Sequence, residues 1–113
     1  MNILIGSNNC KPPMDLIKET FSPYGSEVTV LSVGVNPSDD EVAKFTHDNN
    51  MEFKHITPDV GLRGNGAYIY SFRQLAADAD EVILFFKKFD KDIKEMIEVA
   101  NEFGIKYNEI YFS

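Results

Sequence analysis

Several residue types are scarce in this chain of 113 residues, and each scarcity excludes a class of protein. The single cysteine, Cys10, cannot form an internal disulfide, so we expect a reducing, cytoplasmic setting rather than a disulfide-stabilised secreted domain. The 11 lysines and arginines are outnumbered by 18 aspartates and glutamates, and the formal net charge is −7. Because a nucleic-acid-binding surface normally needs an excess of positive charge, we expect no nucleic-acid partner.

The chain also lacks a long apolar run. Met1 leads directly into a predicted strand, without the basic and apolar pattern of a signal peptide and without a segment long enough to span a membrane. We therefore expect no membrane partner. What the chain does have is 43% hydrophobic residues, including nine Phe and five Tyr, which is enough for the core of one domain over residues 1–113.

Apolar strand-like segments alternate with amphipathic helical segments along the whole chain. Ser38 is the predicted N-cap of the second helix, with Glu41 completing a capping box, and Gly104 is predicted to end the last helix. This alternation predicts a three-layer α/β sandwich around a five-stranded parallel sheet. The predicted strands cover residues 2–5, 27–33, 52–56, 81–86 and 106–112, and the helices 13–21, 66–77 and 91–103 together with the one that follows Ser38.

The composition of the strands also predicts their order. Strands one, two and four are nearly continuous apolar runs, as central parallel strands are, whereas strands three and five alternate polar and apolar residues, as edge strands do. This favours the order 3-2-1-4-5 over the flavodoxin-like order 2-1-3-4-5, which would place strand two at an edge. A ligand site is then expected at the carboxyl ends of strands one and four, where the chain connections diverge.

The loops at these carboxyl ends hold the candidate ligand-binding residues. The segment after strand one is predicted to be a loop that begins with a glycine. It offers backbone N–H groups and small polar side chains to a phosphate or ribose. Arg63 and Lys87 suit an anionic group, and Asp40 suits ribose hydroxyls. A tight turn, a helix cap and solvated surface charges explain the same residues equally well. The predicted ligand-binding residues are Gly6, Ser7, Asn8, Gly34, Asp40, Arg63 and Lys87.

No complete catalytic or metal-binding motif stands in the sequence. Asp40 and Asp59 are candidate carboxylate nucleophiles for the hydrolysis or transfer of an N-glycosidic bond. His47 and His55 are not spaced with each other or with Cys10 as metal ligands, so no metal and no cofactor are expected. Cys10 has no histidine beside it in the sequence, and a nucleophilic cysteine would need a lowered pKa.

Four segments, in this order along the chain, resemble the SLOG superfamily, and in particular its small YspA-like members. They are the strand and glycine of 3–7, the D-x-x-A run of 40–43 after Gly34, the strand leading to Pro58 and Asp59, and the helix opened by Gly66 that ends in Ala-Asp before a strand. The superfamily includes DNA-processing protein A and the lysine-decarboxylase-like phosphoribohydrolases. The resemblance implies a Rossmann-like fold with a pocket for a nucleotide-like ligand.

The sequence departs from this family where phosphate is bound. The family's Gly-Gly-x-Gly-Thr loop after strand four is replaced by 87–91, Lys-Lys-Phe-Asp-Lys, and its Arg-Asn pair is missing around 70–72. The leading hypothesis is therefore a small domain that binds a nucleotide-derived ligand without efficient catalysis. The alternatives are an acidic protein-interaction module, such as a phage or mobile-element protein that acts on a host protein, and a nucleoside hydrolase or transferase. Pairing of two copies is compatible with the aromatic-rich third and fourth helices.

Overall fold

A computed structural model describes residues 1–8, 10–25, 27–33, 37–56 and 66–113. Five strands and four helices alternate along these residues, as the sequence predicts. The elements are β1 (Asn2–Ser7), α1 (Met14–Phe21), β2 (Thr29–Ser32), α2 (Pro37–Asp48), β3 (Glu52–His55), α3 (Ala67–Ala76), β4 (Glu81–Phe86), α4 (Lys91–Glu102) and β5 (Lys106–Tyr111).

The five strands form one parallel sheet in the order β3-β2-β1-β4-β5, which confirms the predicted α/β fold class and the predicted order. The register places Leu4 of β1 opposite Leu31 of β2 on one side and opposite Val82 of β4 on the other. Because all strands run the same way, their carboxyl ends lie along one edge of the sheet. The architecture is Rossmann-like.

Alternate residues of the central strands fill two separate cores, one on each face of the sheet. Leu4 faces α3 and α4, where it packs in a cluster with Phe72 and Met96. Ile3 and Ile5 face α1 and α2, in a cluster that also contains Ile17 and Phe45. Two helices therefore cover each face, and the carboxyl edge of the sheet remains the place where loops from both faces meet.

Strand β1 continues two residues further than predicted, so Gly6 and Ser7 belong to the strand and not to the loop. Gly6 pairs with Leu84 of β4. A Cβ added at Gly6 would lie 2.7 Å from the Sδ of Met96 and 2.9 Å from side-chain atoms of Leu84 and Phe72. The glycine is thus needed for the close packing of α3 and α4 on the strand, which is why a residue typical of loops lies inside the sheet.

The predicted capping box at the start of the second helix is wrong. Helix α2 begins at Pro37, which places Ser38 inside the first turn and its side chain in the core. Pro suits this first position because its missing N–H would have no partner within the helix there. Glu41 instead forms ion pairs with Lys44 of the same helix at 3.1 Å and with Lys11 at 3.6 Å, and the second pair connects α2 to the segment before α1.

The predicted stop after the last helix is confirmed. Gly104 has a φ of +67°, and the next residue, Ile105, donates its backbone N–H to the carbonyl of Ala100 at 2.8 Å. This left-handed turn closes the helix and directs the chain into β5. Within the described parts of the chain, no helix is long and apolar enough to cross a membrane.

Candidate functional site

A small cleft opens at the carboxyl edge of the sheet between β1 and β4. The chain leaves β1 toward β2 on one side and leaves β4 toward β5 on the other, so the two loops part from each other at this point. Open α/β sheets place their ligands in such crevices. The cleft has a volume of about 250 Å³ and is lined by Asn8, Cys10, Lys87, Lys88, Asp90 and Asp92.

Two side chains of the first loop tie it to the loop across the cleft. The Nδ2 of Asn8 donates a hydrogen bond of 2.8 Å to the carbonyl of Lys88. The thiol of Cys10 donates to the carbonyl of Phe85, the next-to-last residue of β4, at 3.5 Å. These bonds fix the width of the cleft, and they leave the Oδ1 of Asn8 on the same amide group as a further acceptor.

Charges of both signs stand side by side in the cleft. Lys87 and Lys88 are exposed, and the Nζ of Lys87 lies 5.7 Å from the centre of the Phe112 ring. Asp90 caps α4 by accepting a 3.1 Å hydrogen bond from the backbone N–H of Ile93, and Asp92 follows in the first turn. The cleft therefore offers two ammonium groups to an anion and carboxylates to hydroxyl groups.

A serine–aspartate cluster, made of Ser7, Ser32, Ser38 and Asp39, lies beside the cleft on the α1 and α2 face. The hydroxyls of Ser7 and Ser38 are hydrogen-bonded to each other, and Ser32 donates a 2.7 Å bond to a carboxylate oxygen of Asp39. All four residues are at most 2% exposed. Polar groups buried this deeply must be hydrogen-bonded, so the cluster fixes the first turn of α2 against the ends of β1 and β2.

Cys10 lies between the cleft and the serine–aspartate cluster. Burial raises the pKa of its thiol, and the negative charge of Asp39 raises the pKa further. The backbone N–H groups of Asn8 and Lys87 and the charge of Lys87 act in the opposite direction but do not outweigh burial. Cys10 thus stays a protonated thiol at neutral pH, which does not support a role as nucleophile.

The structure brings two of the predicted ligand-binding residues, Asn8 and Lys87, to the cleft. Ser7 is buried in the serine–aspartate cluster, and Gly6 lies inside β1. Asp40 is exposed on the first turn of α2 and does not line the cleft. Three further predicted site residues lie outside the described residues: Gly34, Asp59 and Arg63.

The predicted ligand-binding residues do not include Lys88 and the two aspartates of the cleft, nor Ser32 of the serine–aspartate cluster. Asp92 lines the cleft, and it could have been found from its position in the first turn of a helix that follows a central strand. Ser32 is the last residue of β2 and bonds to Asp39. Its signal is faint, because a serine at the end of a strand is read first as part of a turn.

A larger groove of about 560 Å³ lies against the sheet face beside α3 and reaches the carboxyl end of β3. Leu31 and Leu75 form its apolar part, and the exposed Lys54 and His55 of β3 its polar part. The described residues that line this groove include no helix N-terminus, whereas Asp90 and Asp92 bring the N-terminus of α4 to the smaller cleft. Within the described residues, no group of three or more His, Cys, Asp or Glu is placed to hold a metal ion.

Comparison with known proteins gives no relative from which a function can be transferred. No protein-family model matches the chain, and no curated protein and no solved structure matches it.

Proposed function

We propose that this protein binds a small nucleotide-derived ligand in the cleft between β1 and β4. The observation that carries the proposal is the position of Lys87 and Lys88 at the carboxyl end of β4, across the switch point from Asn8. Lysine ammonium groups bind phosphate as point charges, and a crevice at this place in a parallel sheet is where such folds bind ligands. With its single free cysteine, the protein is proposed to work in the cytoplasm.

The mixture of charges favours a ligand that carries both phosphate and hydroxyl groups. Lys87 and Lys88 suit the phosphate, while Asp92 and the Oδ1 of Asn8 suit ribose hydroxyls as acceptors. The volume of about 250 Å³ is below the roughly 300–1,000 Å³ of pockets that enclose whole ligands. The cleft therefore accommodates the phosphoribosyl part of a nucleotide and leaves the base toward solvent.

We further propose that binding is not followed by efficient catalysis. Cys10 is the thiol that lines the cleft, and burial raises its pKa. Asp40, a candidate nucleophile, does not line the cleft. The relation to the SLOG superfamily is part of the same proposal: the fold agrees with it, and the lysines of 87–91 stand where that family has its glycine-rich phosphate loop.

Isothermal titration calorimetry with AMP, cyclic AMP, ADP-ribose and ribose 5-phosphate tests the proposal. We expect at least one of these ligands to bind with a dissociation constant below about 1 mM, or roughly 4 kcal/mol of binding free energy. The double variant Lys87→Ala/Lys88→Ala should bind about tenfold more weakly. The matched control is Lys94→Ala/Lys106→Ala, which removes the same charge from exposed lysines that do not line the cleft.

Two outcomes contradict the proposal. One is no binding of any of the four ligands at 5 mM, on the order of five times the weakest expected dissociation constant. The other is equal weakening in the two double variants, because a nonspecific effect of net charge would then explain the binding. Release of free base from AMP or ADP-ribose, if Asp40→Asn or Asp59→Asn abolishes it, would instead support the alternative of a nucleoside hydrolase.

A further inference from the structure

Among the described residues, strand β5 forms one free edge of the sheet and is paired only with β4. The backbone N–H of Phe112 donates to the carbonyl of Phe86 at 3.1 Å, so residue 112 points its backbone groups toward β4. In a parallel ladder, successive residues point their backbone groups to opposite sides. Tyr107, Glu109 and Tyr111 therefore direct their N–H and C=O groups outward, away from the sheet.

Exposed aromatic side chains are concentrated along the same side of the molecule. Tyr111 is 66% exposed and Phe89 is 52% exposed, and both pack edge-on against Phe86 with ring centres 6.0 Å apart. Phe103, at the opposite end of β5, is 42% exposed. These three residues place exposed apolar surface at both ends of β5, with the exposed Lys106 and Glu109 between them.

We propose that two copies of this chain associate through β5, in antiparallel pairing about a twofold axis perpendicular to the sheet. Such an axis keeps the α3 and α4 faces of the two copies on the same side. The result is a continuous ten-stranded sheet in which the outward backbone groups of each β5 bond to those of the other. This dimer is independent of the ligand proposed above, because the cleft lies on the other side of β4.

The symmetry restricts the register, because residues directly opposite each other must come from the same face of the strand. One allowed register places Glu109 opposite the Glu109 of the second copy, and like charges there repel. The register shifted by two residues moves the axis from Glu109 to Asn108. It places Tyr107 opposite Glu109 and Ile105 opposite Tyr111. In this register, outward-facing residues of the two copies exchange backbone hydrogen bonds. Tyr111, the most exposed aromatic residue, is covered by Ile105 and the nearby Phe103 of the second copy.

The other free edge of the sheet suits a second copy less well. Strand β3 has four residues, and three of them, Glu52, Lys54 and His55, are exposed and polar or charged. Charged and short edge strands are typical of edges that do not pair. Among the described residues, no exposed Phe or Tyr lies on β3.

The buried area argues for a dimer of moderate affinity. A fully exposed aromatic side chain offers about 150–250 Å², so three that are about half exposed contribute on the order of 300 Å² per protomer. Stable interfaces bury about 800 Å² per partner, and the paired backbones must supply the remainder. With a charge of −7 on each copy, long-range repulsion opposes association. Added salt should therefore strengthen the dimer.

Sedimentation velocity of the whole chain, from about 10 to 500 µM protein in roughly 0.15 and 0.5 M NaCl, measures this association. We expect a reversible dimer that is tighter at the higher salt concentration. Glu109→Pro removes an outward N–H, which an edge strand tolerates, and should leave a folded monomer. The matched control, His55→Pro, removes an outward N–H from β3 and should still dimerise. A monomeric wild type at 500 µM, or a Glu109→Pro variant that dimerises like wild type, overturns the proposal.

A cysteine on the predicted axis tests the register and does not depend on the proline variant folding. In a Cys10→Ser background, Asn108→Cys places two thiols on directly opposite residues, at a Cα separation of about 4.5–5.5 Å that a disulfide can span. We expect a disulfide-linked dimer under mild oxidation. The control Lys106→Cys, on the same face but four residues out of register with its copy, should stay reduced. No cross-link at 108, or equal cross-linking at 106, overturns the proposal.

Discussion

The two ends of the parallel sheet use polar residues in different ways. At the amino end, exposed or half-buried polar groups connect neighbouring segments: Asp80 accepts from the backbone N–H of Asn2 at 2.7 Å, and the hydroxyl of Tyr24 donates to Glu81. At the carboxyl end, the serine–aspartate cluster is fully buried, and Lys87 and Lys88 beside it are exposed.

This difference distinguishes polar contacts that only stabilise the fold from polar groups that support a ligand-binding site. Polar pairs at the amino end lie near water, which replaces a lost partner at little cost. At the carboxyl end, the buried hydroxyls hold the first turn of α2 rigidly next to a cleft whose charged groups have few partners within it. A rigid buried support beside exposed charges is what a binding site requires. Three predictions test this comparison, from the largest expected effect to the smallest.

Gly6→Ala should have the largest effect, because the new Cβ would lie within 3.0 Å of atoms of Met96, Leu84 and Phe72. We expect a loss of about 2–3 kcal/mol in the free energy of unfolding, as for other overpacked cores. Urea denaturation followed by circular dichroism measures this loss. Gly66→Ala is the matched control, because nothing lies within 4 Å of a Cβ there. A similar stability of both variants would show that α3 and α4 can move away from β1 without cost.

Ser32→Ala should have a smaller effect that distinguishes the two ends of the sheet. The variant removes a buried donor to Asp39 and should cost about 1–2 kcal/mol of stability. Asp80→Ala, at the amino end, removes the acceptor of an exposed backbone N–H. It should lower the free energy of unfolding by less than about 1 kcal/mol. Chemical denaturation of both variants gives the comparison. If Asp80→Ala is as destabilising as Ser32→Ala, the proposed contrast between the two ends is wrong.

Tyr24→Phe should have the smallest effect at neutral pH, and its signature is a dependence on pH. Burial, followed by the hydrogen bond to Glu81 and its charge, raises the pKa of Tyr24 to about 12 in the folded protein. In the unfolded chain this phenol ionises near its usual value of about 10. The stabilising contribution of Tyr24 is therefore complete below pH 10, and it is lost as the pH rises toward 12.

The measurement is urea unfolding of the wild type and Tyr24→Phe between about pH 7 and pH 11, a range that approaches the folded-state pKa. The difference in unfolding free energy between the two proteins should be constant up to about pH 10 and then decrease. A difference that grows above pH 10 would contradict the raised pKa. Other tyrosines titrate in both proteins, so the difference between them isolates Tyr24.

Much of the fold could be predicted from the sequence, because the residue composition of each strand indicates how deeply that strand is buried. The apolar run of β4 and the polar alternation of β5 were enough to predict a central and an edge position, and the strand order is confirmed. The start of α2 was not predicted correctly. Serine is a residue type typical of N-caps, but the hydroxyl of Ser38 bonds to Ser7, a residue 31 positions earlier in the sequence.

The candidate site was less predictable than the fold. The positions of Asn8 and Lys87 in loops after central strands predict them as site residues, and both line the cleft. Asp92 was not selected, because its position near Asn8 arises only when α4 packs across β1 and β4. Gly6 was selected for a loop that in fact begins two residues later, since no local pattern shows how closely a distant helix approaches the strand.

The sequence by itself determined which segments are strands, which strands are central, and which edge of the sheet collects the loops. These follow from local periodicity and burial, which neighbouring residues specify. Only the tertiary structure decided that Gly6 makes room for Met96, a residue 90 positions away, and that serines of β1, β2 and α2 form one buried cluster. Close packing and hydrogen bonding act between atoms in contact, and in a parallel sheet those atoms come from distant parts of the chain.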